Sequence, residues 1–213
     1  MQRVIGYVLF VIAAGNLTNV RGNVFFVVYF LFAIIASVIL YNGYQDVLSA
    51  RENKKENTKG WDTILVLVLV LMSFFGIYIV AGLGVRFNWS QLSNGWLIVG
   101  YLLTLISTVL STWSLIENRH FEGYVRIQKD REHQVISTGP YRLVRHPGYL
   151  GSILGMIAVA LIFGTLAIGI TAVMINTIFI IRTYYEDNTL KEELDGYLAY
   201  CAKVKYRLIP FVW

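Results

Sequence analysis

From Thr63 to Ile116 the chain runs for 54 residues with one charged side chain, Arg86. Before Asp46 the only charges are Arg3 and Arg21. An ion at the centre of a bilayer costs about 2.5–3.5 kcal/mol on insertion scales, so charge is excluded over such lengths where the chain must cross hydrocarbon. The composition agrees: 56% of residues are hydrophobic and 15% charged, against roughly half and a quarter in a soluble domain. With 3 Pro and 1 Cys in 213 residues, collagen-like, disordered and disulfide-stapled classes are excluded. The net charge of +5 then reads as cationic flanks of membrane helices beside anionic headgroups, with no nucleic-acid partner.

Four apolar stretches, 4–20, 23–44, 63–85 and 95–116, are candidate spans, the last three reaching the roughly 20 residues a crossing needs. Stretch 4–20 is marginal, but no small-residue cleavage site follows it, so it reads as a retained helix that turns at Asn16 to Gly22. Two shorter runs, 149–163 and 166–181, are divided by Gly164 and Thr165 and predict a tight C-terminal helical hairpin. Arg182 to Trp213 should leave the membrane as an interfacial helix. The expected fold is therefore all-α integral membrane, with about six transmembrane helices and a cytoplasmic interfacial C-terminal helix. Alternate loops carry sixteen Lys and Arg on one side and two on the other. That asymmetry predicts a multi-pass protein with both termini and its polar segments in the cytoplasm, in the plasma membrane if the source is prokaryotic.

Polar residues gather in two places, 117–149 and 182–207, and the spans are nearly free of titratable groups, which argues against an ion or proton pathway. Gly139-Pro140 is a turn signal. Pro147 disfavours helical geometry at His146 and is suited to the first helical position, so a helix should start there with His146 and Tyr149 at its mouth. Helix N-terminal amides favour an anionic group, such as the carboxylate or phosphate of a cofactor.

The stretch GPYRLVRHPGYLG, followed by RTYYEDNTLKEELDGYLAYCAKVKYRLIP, resembles the isoprenylcysteine carboxyl methyltransferase family and its wider relatives, the phospholipid methyltransferases. The resemblance spans about residues 117–213 and divides the chain into N-terminal transmembrane helices, 1–116, and a cofactor-binding methyltransferase core, 117–213, within one membrane domain. It implies an enzyme that takes S-adenosylmethionine from the cytoplasm and a lipophilic small-molecule or lipid acceptor from the bilayer. Carried over residue by residue, cofactor contacts fall on Gln128, His133, Gln134, Val135, Ile136, Tyr141, His146, Pro147, Gly148 and Tyr149. Arg182 would face the acceptor and Glu186 would help hold the cofactor, the two forming the catalytic pair. The acidic pair is Glu186-Asp187 here, and LDGYLAY replaces the phenylalanine-glycine pattern of the eukaryotic enzymes, as in bacterial and archaeal relatives. Fold and cofactor therefore carry over more directly than prenylcysteine as the substrate.

Methyl transfer from a sulfonium is an in-line displacement, which needs alignment in a dry pocket more than a strong base. Ring faces of Tyr141 and Tyr149 suit a sulfonium or adenine. Arg182 and Glu186, four apart, share a helix face within reach of each other, and the ordinary alternative is a helix salt bridge at the membrane boundary. His120, His133, His146 and Cys201 lack zinc-ligand spacing, so no metal is expected. Arg142 and Arg145 are by default snorkelling flanks and otherwise phosphate ligands. Gly151 and Gly155 form a GxxxG that should pack the fifth span against the sixth. Trp61, Trp89, Trp96 and Tyr101 suit the membrane interface. Beside methyl transfer stand an NADPH-dependent sterol-type reductase, using Arg142 and Arg145 on the cofactor phosphates, and a non-catalytic membrane protein.

Overall fold

The computed structural model describes residues 2–45, 47 and 57–213. Among them every regular element is helical: α1 (Gln2–Ala14), α2 (Val20–Gly43), α3 (Gly60–Arg86), α4 (Gly95–Glu117), α5 (Pro147–Phe163), α6 (Leu166–Glu193) and α7 (Tyr197–Lys203). The all-α membrane fold follows. Helices α2, α3, α4 and α6 are long and apolar enough to cross a bilayer, whereas α1 and α5, at 13 and 17 residues, are shorter apolar helices. Outward-facing residues such as Val27, Leu31, Ile34, Ile64, Ile98 and Leu102 are exposed, as lipid contact requires.

Local chemistry sets the boundaries. The Asn19 side chain accepts from the Gly22 amide and starts α2, while α1 already ends at Ala14, six residues short of the 4–20 expectation. Pro147 opens α5, as the sequence predicts. Gly164, at φ 69°, closes it in the left-handed region that only glycine adopts freely, and the Thr165 hydroxyl caps α6 at Ile168. The α5–α6 hairpin is therefore as tight as expected. The second expectation for this region needs correcting. Arg182 to Glu193 does not lie apart as an interfacial helix but continues α6, whose 28 residues reach about 42 Å and outrun the ~30 Å hydrocarbon core. Only the short α7 is separate.

The core is built from aromatic and aliphatic side chains of five helices: Phe10, Phe25, Phe26, Tyr78 and Phe163 with Ile77, Ile162, Ile168 and Ile175. Phe163 meets Phe25 at 5.2 Å and Phe10 at 5.6 Å between centroids. The α3 helix widens into a single π turn at Met72–Gly76, beside which α1 packs.

The GxxxG expectation is corrected as well. A Cβ on Gly151 would lie 2.3 Å from Ser111 Oγ, and one on Gly155 would lie 2.8 Å from Ser107 Oγ, so this stripe faces α4 and not α6. The Ser107 hydroxyl donates to the Gly151 carbonyl at 2.7 Å. Two small stripes with i, i+4 spacing let the backbones approach, and the hydroxyl finds its acceptor at the contact. This α4–α5 pairing fixes where α5 begins, and so where His146 and Tyr149 stand.

Candidate active site

Between α4 and α5, residues 118–146 form an irregular cap over the ends of α5 and α6, interrupted by one-turn helices at Lys129–Arg131 and Gly139–Arg142. Backbone polar groups without a regular ladder must be satisfied individually, and side chains do so here. Asp62 accepts from the Val125 amide at 2.7 Å, and Arg182 donates to the Gly123 carbonyl at 2.8 Å. The Gln128 side chain donates to the His120 carbonyl at 2.6 Å. Arg126 grips Glu122 through two bonds of 2.7 and 2.8 Å and reaches Asp130 at 2.6 Å, so its guanidinium is held even more firmly charged than usual.

Beneath the cap lies a narrow, partly open cavity lined by residues of the cap, of α5 to α7 and of the α6–α7 junction. Arg182, Glu186, Leu190 and Leu194 line it at intervals of four, so the cavity follows one face of α6 and its continuation for about 18 Å. Arg182 and Tyr149 mark the membrane end. Leu190, Leu194, Tyr197, Tyr200 and Val135 mark the other.

Every residue that the resemblance assigned to cofactor or acceptor lines this cavity except Pro147: Gln128, His133, Gln134, Val135, Ile136, Tyr141, His146, Gly148, Tyr149, Arg182 and Glu186. Pro147 is buried at the first position of α5, where it starts the helix behind the wall. Tyr149 and Glu186, from stretches 37 residues apart, are joined by a hydrogen bond from the tyrosine hydroxyl to the carboxylate. The His146 ring lies parallel to that of Tyr149, with Nδ1 3.8 Å from Glu186.

The helix salt bridge between Arg182 and Glu186 is not formed. Arg182 turns instead to Asp62 at the start of α3, donating from Nε at 2.6 Å and from Nη2 at 3.1 Å, with its guanidinium 5.1 Å from the Tyr149 ring centre. Arg145 is no snorkelling flank either: it is buried, bonds both oxygens of Asp187 at 2.7 and 3.1 Å, and caps the carbonyls of Val204 and Lys205. Arg142 is exposed, as a flank should be.

Sequence reasoning missed Asp187 as a hub. This fully buried carboxylate receives Arg145, Arg207 (2.8 Å), Lys191 (2.6 Å) and the Tyr197 hydroxyl (3.0 Å), with His146 Nε2 at 3.4 Å. It also missed His120, whose ring lies 4.6 Å from that of His133. His120 Nε2 accepts from the Gln134 amide, which leaves the proton on Nδ1 toward Gln128 Oε1. Burial lowers the pKa of both histidines, that of His133 to about 4 with help from His120, Arg126 and Arg131, so both are neutral near pH 7. Burial pushes Tyr197 and Tyr200 well above the usual phenol range, which keeps them as hydrogen-bond donors: Tyr200 donates to the Tyr141 carbonyl at 2.6 Å. Tyrosines in a charge-rich tail, with as many acidic as basic residues, were the available signal for Tyr197 and Tyr200.

Fold and cavity together define an all-α membrane protein with a cavity lined by polar and charged side chains at one end of its helices. Residues 96–195 match the family model described as phospholipid methyltransferase. Two proteins named probable protein-S-isoprenylcysteine O-methyltransferase, from Oryza sativa subsp. indica and subsp. japonica, are each 27% identical over 119 residues, covering 54% of this chain and 61% of theirs. Protein-S-isoprenylcysteine O-methyltransferase B of Arabidopsis thaliana is 26% identical over 126 residues, 57% of this chain and 64% of its own. Over this region the chain is similar to the phospholipid methyltransferase family and to plant isoprenylcysteine O-methyltransferases. It spans a little over three fifths of the length of the relatives it matches.

Proposed function

We propose that this protein transfers a methyl group from S-adenosylmethionine to a lipophilic acceptor drawn from the bilayer, either an isoprenylcysteine-like carboxylate, a lipid or a small molecule. The observation that carries the reading is the junction of Tyr149 and Glu186 in one cavity wall, with Arg182 at its membrane end. The residues fit the donor. The cavity offers the Glu186 carboxylate and tyrosine faces to a cation, and has apolar walls at Val135, Ile136, Leu190 and Leu194 that suit a purine. When bound, S-adenosylmethionine would supply the electrophilic methyl carbon, its sulfur–carbon bond pair remaining on a neutral thioether product.

The chain's own contribution is alignment and exclusion of water. Glu186, fixed by Tyr149, is the carboxylate that would receive the amino group or ribose of the donor. Gln128, His133, Gln134, Tyr141, His146 and Gly148 would complete its surround, while Pro147 contributes by starting α5. Arg182 would orient the acceptor. No strong base is required for a carboxylate or thiolate, which is already nucleophilic, and the neutral histidines are free to donate and accept hydrogen bonds. The positive-inside pattern supports a cytoplasmic cavity with both termini on the same side, and a plasma-membrane location if the source is prokaryotic. Residues 117–213 would then form the catalytic core and residues 1–116 its membrane anchorage and outer wall. The reductase alternative loses both phosphate ligands from the cavity, since Arg145 is committed to Asp187 and Arg142 is exposed and does not line it.

Calorimetric titration of the purified protein with S-adenosylhomocysteine, in detergent and in lipid nanodiscs, is the test. Saturable binding is expected, with His146→Ala and Glu186→Ala each weakening it by about 10- to 100-fold, the loss of a charged hydrogen bond. Absence of binding by the unmodified protein in both media refutes the reading.

A further inference from the structure

Asp62 has an exposure of 0%, stands in the first turn of α3 and lies outside residues 96–195, the part of the chain that matches the family. It nevertheless makes the longest-range side-chain contact of the site, to Arg182 across 120 residues. A carboxylate buried this completely must be paired, and Asp62 is paired three times: with Arg182 Nε, with Arg182 Nη2 and with the Val125 amide. Arg182 is held in turn on three sides. The Nε/Nη2 edge is forked onto Asp62, Nη2 also donates to the Gly123 carbonyl, and the face lies over the Tyr149 ring. A bidentate arginine–carboxylate fork fixes the guanidinium plane as well as its position. Nη1 makes no hydrogen bond among the described residues, and Arg182 lines the membrane end of the cavity.

The rest of the α3 start supports this arrangement. Lys59 bonds Glu193 at 2.5 Å and Trp61 lies 5.1 Å from Tyr185, so three consecutive contacts close α3 onto α6 beside the cavity. Only the Asp62 contact reaches a residue that lines it.

We propose that Asp62 is a positioning residue for the acceptor: it locks Arg182 with its Nη1 edge toward the membrane end of the cavity and neutralises the charge that the burial of Arg182 brings. The inference rests on the methyl-transfer reading above. It also makes the N-terminal half part of the site, with a role separate from donor binding, because Asp62 does not line the cavity along which Glu186, His146 and Gln128 stand.

The test compares the unmodified protein with Asp62→Asn, Asp62→Glu and Lys59→Ala in nanodiscs. S-adenosylhomocysteine affinity, unfolding midpoint, and label transfer from methyl-labelled S-adenosylmethionine to a lipid extract and to an S-prenylated N-acetylcysteine are measured for each. Expected for Asp62→Asn is donor affinity within about twofold of the unmodified protein and an apparent acceptor KM raised about 10- to 100-fold, the scale of a displaced positioning group. Asp62→Glu keeps the charge on a longer arm and should recover part of the loss. It also serves if the asparagine variant does not fold. Lys59→Ala, whose partner Glu193 does not line the cavity, should change neither donor affinity nor acceptor KM. Unchanged KM in both Asp62 variants, or a donor affinity that falls in parallel with transfer, overturns the positioning role. No label transfer by the unmodified protein to either acceptor overturns the methyl-transfer reading, and this inference with it.

Discussion

Asp187→Asn keeps the shape of the hub residue and removes its charge. In the folded protein three cations converge on this carboxylate, and they differ in how much water they keep: the side chain of Arg145 is 5% exposed, that of Arg207 21% and that of Lys191 26%. Breaking a buried pair by removing one partner costs about 3–5 kcal/mol, because the other charge is left without compensation. Lys191 and Arg207 can turn to solvent, and Arg145 keeps the carbonyls of Val204 and Lys205, so the low end, about 3 kcal/mol, applies. For a chain of this size that lowers the unfolding midpoint by about 6–12 °C. The same substitution loosens Arg145, His146 and Tyr197, which all line the cavity, so S-adenosylhomocysteine affinity should fall too. Lys191→Ala removes a more exposed partner and should cost under about 1 kcal/mol. Thermal unfolding in detergent, followed by tryptophan fluorescence and paired with calorimetric titration, reads both effects. An Asp187→Asn midpoint within about 2 °C of the unmodified protein, with undiminished affinity, would refute the account of Asp187 as the residue holding the cavity wall together.

Two other outcomes follow from the packing and from the histidine pair. Gly151→Leu should destabilise by about 1–3 kcal/mol or more, since even a Cβ there meets Ser111 and lies 3.1–3.2 Å from backbone atoms of α4. Gly169→Ala in α6, where nothing lies within 4 Å, should be neutral or stabilising by up to about 1 kcal/mol, and equal effects of the two in a denaturation series would contradict the α4–α5 interface. His133 takes up a proton at about 4 in the folded protein and at 6.5 when unfolded. The unfolded state therefore binds more protons between those values, and stability present above pH 6.5 is lost progressively as pH falls toward 4, by about 1–3 kcal/mol for a group that is only partly exposed. Unfolding midpoints measured from pH 7 to 4.5 should show that decline in the unmodified protein and a flatter profile in His133→Gln; parallel profiles would remove His133 from the cause.

Much of this molecule was legible in one dimension because the bilayer imposes a one-dimensional rule. Apolar runs set where helices can cross, Gly164 and Pro147 fix helix ends through backbone geometry that other residues resist, and the motif around His146 pointed to the residues now seen around one cavity. All of these depend on neighbours within a few positions. The destinations of charged side chains do not. Arg182 sits one helical turn from Glu186, yet it pairs with Asp62, 120 residues away; Arg145 reads as a membrane flank, yet it is buried on Asp187. The GxxxG at Gly151 announced close packing but could not choose between α4 and α6, because its partner stripe, Ser107 and Ser111, is defined only once the helices stand side by side. Local pattern determines which segments are helical and where they stop. Which buried ion meets which counter-ion is decided by the cost of leaving any of them unpaired, and that cost is settled only when distant helices close around the same small volume.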